Sequence, residues 1–216
     1  MLEEMASFFE KRLEGYDQHM LSNIESAQIF YPFTADQLPK TDGASLLDLG
    51  CGTGLELDFY LKLNHSAKVT GIDLSKGMLD ALKAKFEGGD MTLIQGSYFD
   101  VPLGCEQFDA AVSVESLHHF TKAEKIPLYQ KLHAALKQNG FFILTDYFSA
   151  DEAEEQFFRS ELLRQKQALG LDDDCFYHYD TPLTVDNEKE ALFSAGFSDV
   201  IELASWGATH TLKAIK

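Results

Sequence analysis

The chain has 216 residues, of which 45% are hydrophobic, enough to bury the core of one α/β unit with an attached cap. Its formal net charge of −17 repels polyanions, and no Lys/Arg run offers a local basic patch, which argues against a nucleic-acid partner. The three cysteines are widely spaced and form no Cys-x-x-Cys, so neither a disulfide framework nor a structural zinc site is expected, and a reducing compartment suits them. The opening residues lack a basic stretch followed by an apolar core, and no apolar run reaches the length of a membrane helix. A cytoplasmic protein with no membrane partner is therefore expected.

Met5, Phe8, Phe9 and Leu13 recur at helical spacing over residues 2–13, and Gly15 ends the pattern. A second helical stretch over 19–30 is expected to lead into Pro32 and Pro39. Residues 45–49 read as a buried strand that ends in Gly50-Cys51-Gly52-Thr53-Gly54. Glycines at alternate positions accept positive φ and let a ligand approach the backbone, and a helix start offers free N–H groups to an oxygen-rich ligand. Leu55, Phe59 and Leu63 stripe the helix that follows. The next strand, 67–72, closes on Asp73, 19 positions beyond Gly54 (73 − 54). That lies near the roughly 20 expected for a carboxylate that takes ribose hydroxyls.

Ser75 is a good N-cap for a helix striped by Met78, Leu82 and Phe86, which Gly88-Gly89 stop. Strands are expected at 91–95 and 108–114. Thr121 and Glu124 have the form of a capping box, but Pro127 is unwelcome in a helix interior, so a short turn and then a helix from about Pro127 are expected. Asn139-Gly140 would close that helix before a strand at 141–145. Such alternation of strand and helix means a doubly wound parallel sheet. The rhythm breaks after Asp146: a polar helix over 151–169 and an irregular, aromatic and acidic run over 171–182 read as a cap too short for its own core. Thr184 caps a last helix, and strands 200–205 and 209–215, joined by Trp206-Gly207-Ala208, must be antiparallel.

Leu46-Leu47-Asp48-Leu49-Gly50-Cys51-Gly52-Thr53-Gly54, followed by Gly71-Ile72-Asp73-Leu74-Ser75, resembles the first two motifs of class I S-adenosylmethionine (SAM) methyltransferases. The resemblance runs from about Ala44 to the C-terminus. It implies an α/β fold: a mostly parallel, doubly wound, Rossmann-like seven-stranded sheet with an antiparallel last strand. It also implies one domain over 1–216, divided into an N-terminal helical flap (1–40), a cofactor-binding core (41–148), a helical cap insertion (149–183) and a C-terminal helix and hairpin (184–216). SAM is the implied cofactor. Asp48 would reach its amine, directly or through water. The backbone of Gly50, Cys51, Gly52 and Gly54 would follow the methionine part, and Asp73 would take both ribose hydroxyls. Ser97 stands where many members carry the acid that holds the adenine amino group. Tyr98 would flank the adenine and Leu74 wall its other face. Val114 and Glu115 would neighbour the methionine end, and Tyr16 is a contact from the flap.

Methyl transfer is an in-line displacement whose main demand is alignment; a base is needed only if the acceptor arrives protonated. His119, Asp146, Tyr147 and His178 are the candidates for that base. Neighbouring residues diverge on a helix, so His118 and His119 are not expected to share an ion, no His-Glu-x-x-His occurs, and no metal is expected. The Asn/Asp-Pro-Pro-Tyr/Phe motif usual in nucleic-acid amino methyltransferases is absent, in line with the charge, which leaves a small neutral or cationic acceptor as the expected partner. Two alternatives stay open: a SAM-binding protein without transferase activity, and an NAD-dependent oxidoreductase, which the missing third fingerprint glycine disfavours. Oligomeric state is not readable.

Overall fold

A computed structural model describes residues 2–172 and 175–216. Seven strands form one sheet: β1 (Ser45–Leu49), β2 (Lys68–Asp73), β3 (Met91–Gln95), β4 (Phe108–Val114), β5 (Leu136–Tyr147), β6 (Asp199–Trp206) and β7 (Thr209–Ile215). Their order across the sheet is β3-β2-β1-β4-β5-β7-β6. The first five are parallel, and β7 lies antiparallel between β5 and β6. This is the expected Rossmann-like sheet with a hairpin ending. The order turns back between β1 and β4, and in such sheets the crevice beyond the strand ends at that point binds ligands.

The central strands are mostly apolar, with Asp48 in β1 and Asp109 and Ser113 in β4 among the exceptions, because helices cover both faces of the sheet. Leu46, Leu47, Leu49, Ala110, Ala111 and Val112 are all fully buried. The covering helices are α1 (Met5–Glu10), α2 (Tyr16–Asn23), α3 (Ala27–Asp36), α4 (Leu55–Leu63), α5 (Lys76–Lys85), α6 (Lys122–Ala135), α7 (Glu152–Leu169) and α8 (Val185–Ser194), with a 3₁₀ turn at Leu117–His119. Among the described residues, no helix is long and apolar enough to cross a membrane.

Three local expectations are corrected. The N-terminal region holds three helices rather than two; the second breaks at Ile24, Ser26 takes φ 61°, and α3 then runs through Pro32. α6 begins at Lys122, not near Pro127, because Thr121 and Glu124 complete a full capping box. In both helices the proline forfeits one backbone bond, and the carbonyl left over belongs to an exposed residue, Gln28 or Ala123, so water solvates it. β5 starts at Leu136 rather than 141, because the chain passes straight from α6 into the strand, with Asn139 at φ 64° absorbing a register shift opposite Phe108.

α6 and α8 are joined by a fully buried ion pair, Lys125 Nζ to Glu188 Oε2 at 2.6 Å, with Tyr129 donating its hydroxyl to the other Glu188 oxygen. The N-terminal segment is tied to residues 176–178: Met5 N–H donates to the Phe176 carbonyl and His178 N–H to that of Glu3, each at 2.9 Å. Of the run expected to be irregular, residues 173 and 174 lie outside the described residues.

Candidate functional site

β1 ends in a turn that only a glycine fits. Gly50 has φ +73°, and a Cβ there would stand 2.0 Å from Ser116 Oγ. One residue on, the Cys51 side chain tucks against β2 where Gly71 leaves room; a Cβ on Gly71 would meet its sulfur at 2.8 Å. Asp73 then ties the two loops together. Its Oδ2 accepts from Gly52 N–H at 2.9 Å, and its Oδ1 from Ser75 N–H at 2.8 Å. Each carboxylate oxygen has a second lone pair, so both remain able to accept from a ligand hydroxyl. Burial raises the Asp73 pKa above the usual carboxylate value.

The slot above this turn is walled by Gly50, Gly52, Asp73 and Leu74 on one side and Tyr98, Val114, Glu115, Ser116 and His119 on the other. Met5, Phe9 and Tyr16 of the N-terminal region roof it. Its volume is about 50 Å³, far below the roughly 300–1,000 Å³ of ligand pockets. Of the residues expected at the cofactor, Gly50, Gly52, Asp73, Leu74, Tyr98, Val114, Glu115 and Tyr16 meet at this slot. Cys51, Gly54, Ser97 and Asp48 do not line it. Cys51 is buried beneath the turn, Gly54 is the N-cap of α4, and Ser97 Oγ accepts from Phe99 N–H at 3.2 Å.

Asp48 lies buried under the turn against Glu56; among the described residues no N–H or hydroxyl donates to either Asp48 oxygen or to Glu56 Oε1, so the contact between the two carboxyls needs a shared proton. Burial and the charge of Glu56 push the Asp48 pKa well up, and burial raises that of Glu56 as well. Buried carboxyls of this kind are costly unless a cation or donor meets them. They suit a ligand ammonium brought to the glycine turn.

A second cavity, of about 790 Å³, adjoins the slot. The two share Phe9, Tyr16, Glu115 and His119 as a common wall. Glu115 holds an unusual backbone, φ 49°, just past the end of β4, with its N–H donating to the Thr145 carbonyl at 2.9 Å. Non-glycine residues held there cost energy and gather at functional sites. Burial, then the charge of Asp146, pushes its carboxyl up to about 8.

His119, Tyr147 and His178 line this cavity. Asp146 does not; it stands behind His118, whose Nδ1 lies 2.5 Å from Asp146 Oδ1. Asp146 Oδ2 accepts from Leu117 N–H at 2.8 Å, and Oδ1 from Tyr147 N–H at 3.0 Å. Burial alone would lower the His118 pKa, but the carboxylates of Asp146 and Asp180 outweigh it and carry it up to about 9. His119 shifts the other way, through burial and the charge of His118. His178 stacks on Phe8 of α1 with ring centroids 3.5 Å apart, and burial, then His119, brings it down to about 4.

The expectation that the two histidines diverge is overturned. It assumed an α-helix, but a single 3₁₀ turn carries them, their ring centroids are 4.1 Å apart, and both reach Asp180 Oδ1. Asp180, Phe9 and Ser116 were absent from the sequence-based site, and His118 entered it only as a neighbour of His119. The Tyr177-His178-Tyr179-Asp180 run of the cap was the one available signal.

Residues 46–140 match the sequence profile of a family described as "Methyltransferase domain". An uncharacterized methyltransferase of Synechocystis is 32% identical over 124 residues, 57% of each chain. Over residues 46–140, less than half of its length, the chain is similar to the methyltransferase-domain family. Another uncharacterized methyltransferase, from Anoxybacillus flavithermus, is 28% identical over 184 residues, 83% of this chain and 84% of its own. The fold is shared with human N-acetylserotonin methyltransferase in complex with SAM: TM-score 0.66 at 17% identity, over 98% of this chain and 56% of that one. The chain thus spans little more than half the length of the Synechocystis relative and of the human enzyme.

Proposed function

We propose that the chain, acting as one methyltransferase domain over its whole length, binds SAM in the slot and transfers its methyl group to a small-molecule acceptor in the adjoining cavity. The observation that carries this reading is the wall of Phe9, Tyr16, Glu115 and His119 common to both spaces. SAM supplies a methyl group already activated on a sulfonium sulfur, so the chain's task is to align and desolvate.

In this reading Asp73 receives the ribose hydroxyls on its free lone pairs, and Asp48 with Glu56 meets the ammonium from beneath the turn. Gly50 and Gly52 let the backbone come close. Tyr98 and Leu74 flank the base. Glu115 stands where the slot opens into the cavity, and its carboxyl becomes ionised when a cation sits beside it. His119, kept neutral by burial and by its charged neighbour, is the group placed to take a proton from an acceptor hydroxyl or amine. Lys11 and Arg12 on the cavity rim are both paired with Glu3, and Asp180 with His118, whereas Glu14 and Glu25 also face the space. That balance favours a neutral or cationic acceptor.

The test is transfer of a radiolabelled methyl group from SAM into a cytosolic metabolite extract. Label in a small-molecule fraction with the wild type, and at least about tenfold less with Asp73→Ala at a SAM concentration below the variant's Kd, supports the reading. Binding of SAM without any transfer would leave a SAM-binding protein.

A further inference from the structure

We propose that His118, His119 and Asp180 bind a divalent first-row transition-metal ion on the cavity side of the shared wall. Their ligand atoms lie within 4.8 Å of one another. His118 Nε2 is 3.5 Å and His119 Nδ1 3.2 Å from Asp180 Oδ1. Ligands about 2.0–2.1 Å from a tetrahedral Zn²⁺ stand roughly 3.4 Å apart along the edges, so two of the three edges are already at coordination spacing. The third edge, between the two imidazole nitrogens, is no longer than 4.8 Å.

The surroundings match a metal site in a second way. A histidine that ligates through one ring nitrogen almost always donates the other N–H to a carboxylate, which fixes the tautomer and aims the ring. His118 does this: Nδ1 meets Asp146, itself anchored by the N–H groups of Leu117 and Tyr147, and Nε2 is left facing Asp180. The alternative trio of Glu115, His118 and Asp146 would sacrifice that anchor. Two imidazoles and one carboxylate with open positions toward a cavity form the donor set of zinc and related catalytic ions, and hard cations such as Mg²⁺ prefer oxygen throughout. An acceptor with an oxygen or nitrogen donor would complete the coordination, and with Nδ1 on the ion His119 is then a ligand and no longer the base. That consequence rests on the methyl-transfer reading; metal binding does not.

Chelator-treated protein is titrated with Co²⁺, read by visible d–d absorption and by calorimetry. S-adenosylhomocysteine (SAH) binding is measured in the same preparations. One equivalent per chain with a d–d band is expected in the wild type, with both lost in His119→Gln/Asp180→Asn. Asp146→Asn should weaken binding about 10–100-fold. Should the double variant fail to fold, the half-exposed Asp180→Asn serves alone. No saturable Co²⁺ binding by folded wild type, or equal binding by wild type and variant, overturns the site and leaves an ion-paired His118 between two carboxylates. SAH binding without Co²⁺ removes only the metal; Co²⁺ binding without SAH removes only the methyltransferase reading of the slot.

Discussion

Asp146 and His118, one at the end of β5 and the other in the turn after β4, meet across 2.5 Å with no water-exposed surface on the carboxylate. The contact does two jobs at once. It aims the His118 ring at Asp180, and it satisfies the buried N–H of Leu117 through the other carboxylate oxygen.

Removing Asp146 therefore strands a buried imidazole and a buried N–H together. Asp146→Ala should cost about 3–5 kcal/mol of stability, the range for breaking one side of a buried pair. Urea unfolding followed by far-UV circular dichroism checks this. A loss below about 1 kcal/mol would match a surface pair and would mean that the buried contact is not formed.

Glu115 gives a pH signature to cofactor binding. Its carboxyl is held up at about 8, against an ordinary 4.5, by burial and by Asp146. Below that value the empty site is neutral at this residue, and a sulfonium cation beside it must draw off a proton. A ligand that favours the deprotonated form binds more tightly as pH rises toward the pKa of the free protein. The affinity ratio of SAM to its uncharged thioether product should thus climb from pH 6 to about 8 and then level. In Glu115→Gln it should stay flat. The same shift acts on folding with its own sign. The raised pKa contributes stability below about 4.5 that is lost as pH rises through about 8, so Glu115→Gln should overtake the wild type at alkaline pH in thermal melts.

The flap must move for a cofactor to enter, because Met5, Phe9 and Tyr16 fill the slot down to about 50 Å³. Its latch on the core is Glu10, whose Oε2 accepts from Ser75 Oγ at 2.6 Å and from Gly77 N–H at 3.0 Å. Glu10→Ala should speed hydrogen exchange in α1 and at Gly77 and quicken both association and dissociation of SAM. Global unfolding should hardly change. Unaltered exchange in α1 would show that the cap contacts at Phe176 and His178 hold the flap alone.

The sheet was legible because the central strands are short, mostly apolar runs, a pattern that burial on both faces produces. β1, β3 and β4 fall on the residues expected. The helices with internal proline were misread for a physical reason: the cost of Pro32 and Pro127 depends on whether the orphaned carbonyl meets water, which sequence does not reveal. Lys125 and Glu188 lie on two different helices, and nothing in their spacing announces that they are fully buried partners. Half of the slot was visible as glycines and a spaced acid. The far wall comes from the segments after β3 and β4 and the roof from the N-terminal helices, and the histidine cluster is assembled from the β4 turn, the end of β5 and the cap, segments that only the folded chain brings together.

The central claim is that the turn after β1 and the acid closing β2 together hold SAM. Calorimetric titration of SAM into the intact chain and into Asp73→Ala addresses it most directly. One site per chain is predicted, weakened about 10–100-fold by the substitution, as expected for loss of one charge-assisted hydrogen bond at about 1.5–3 kcal/mol. No heat of binding in the wild type, or the same affinity in the variant, contradicts the account.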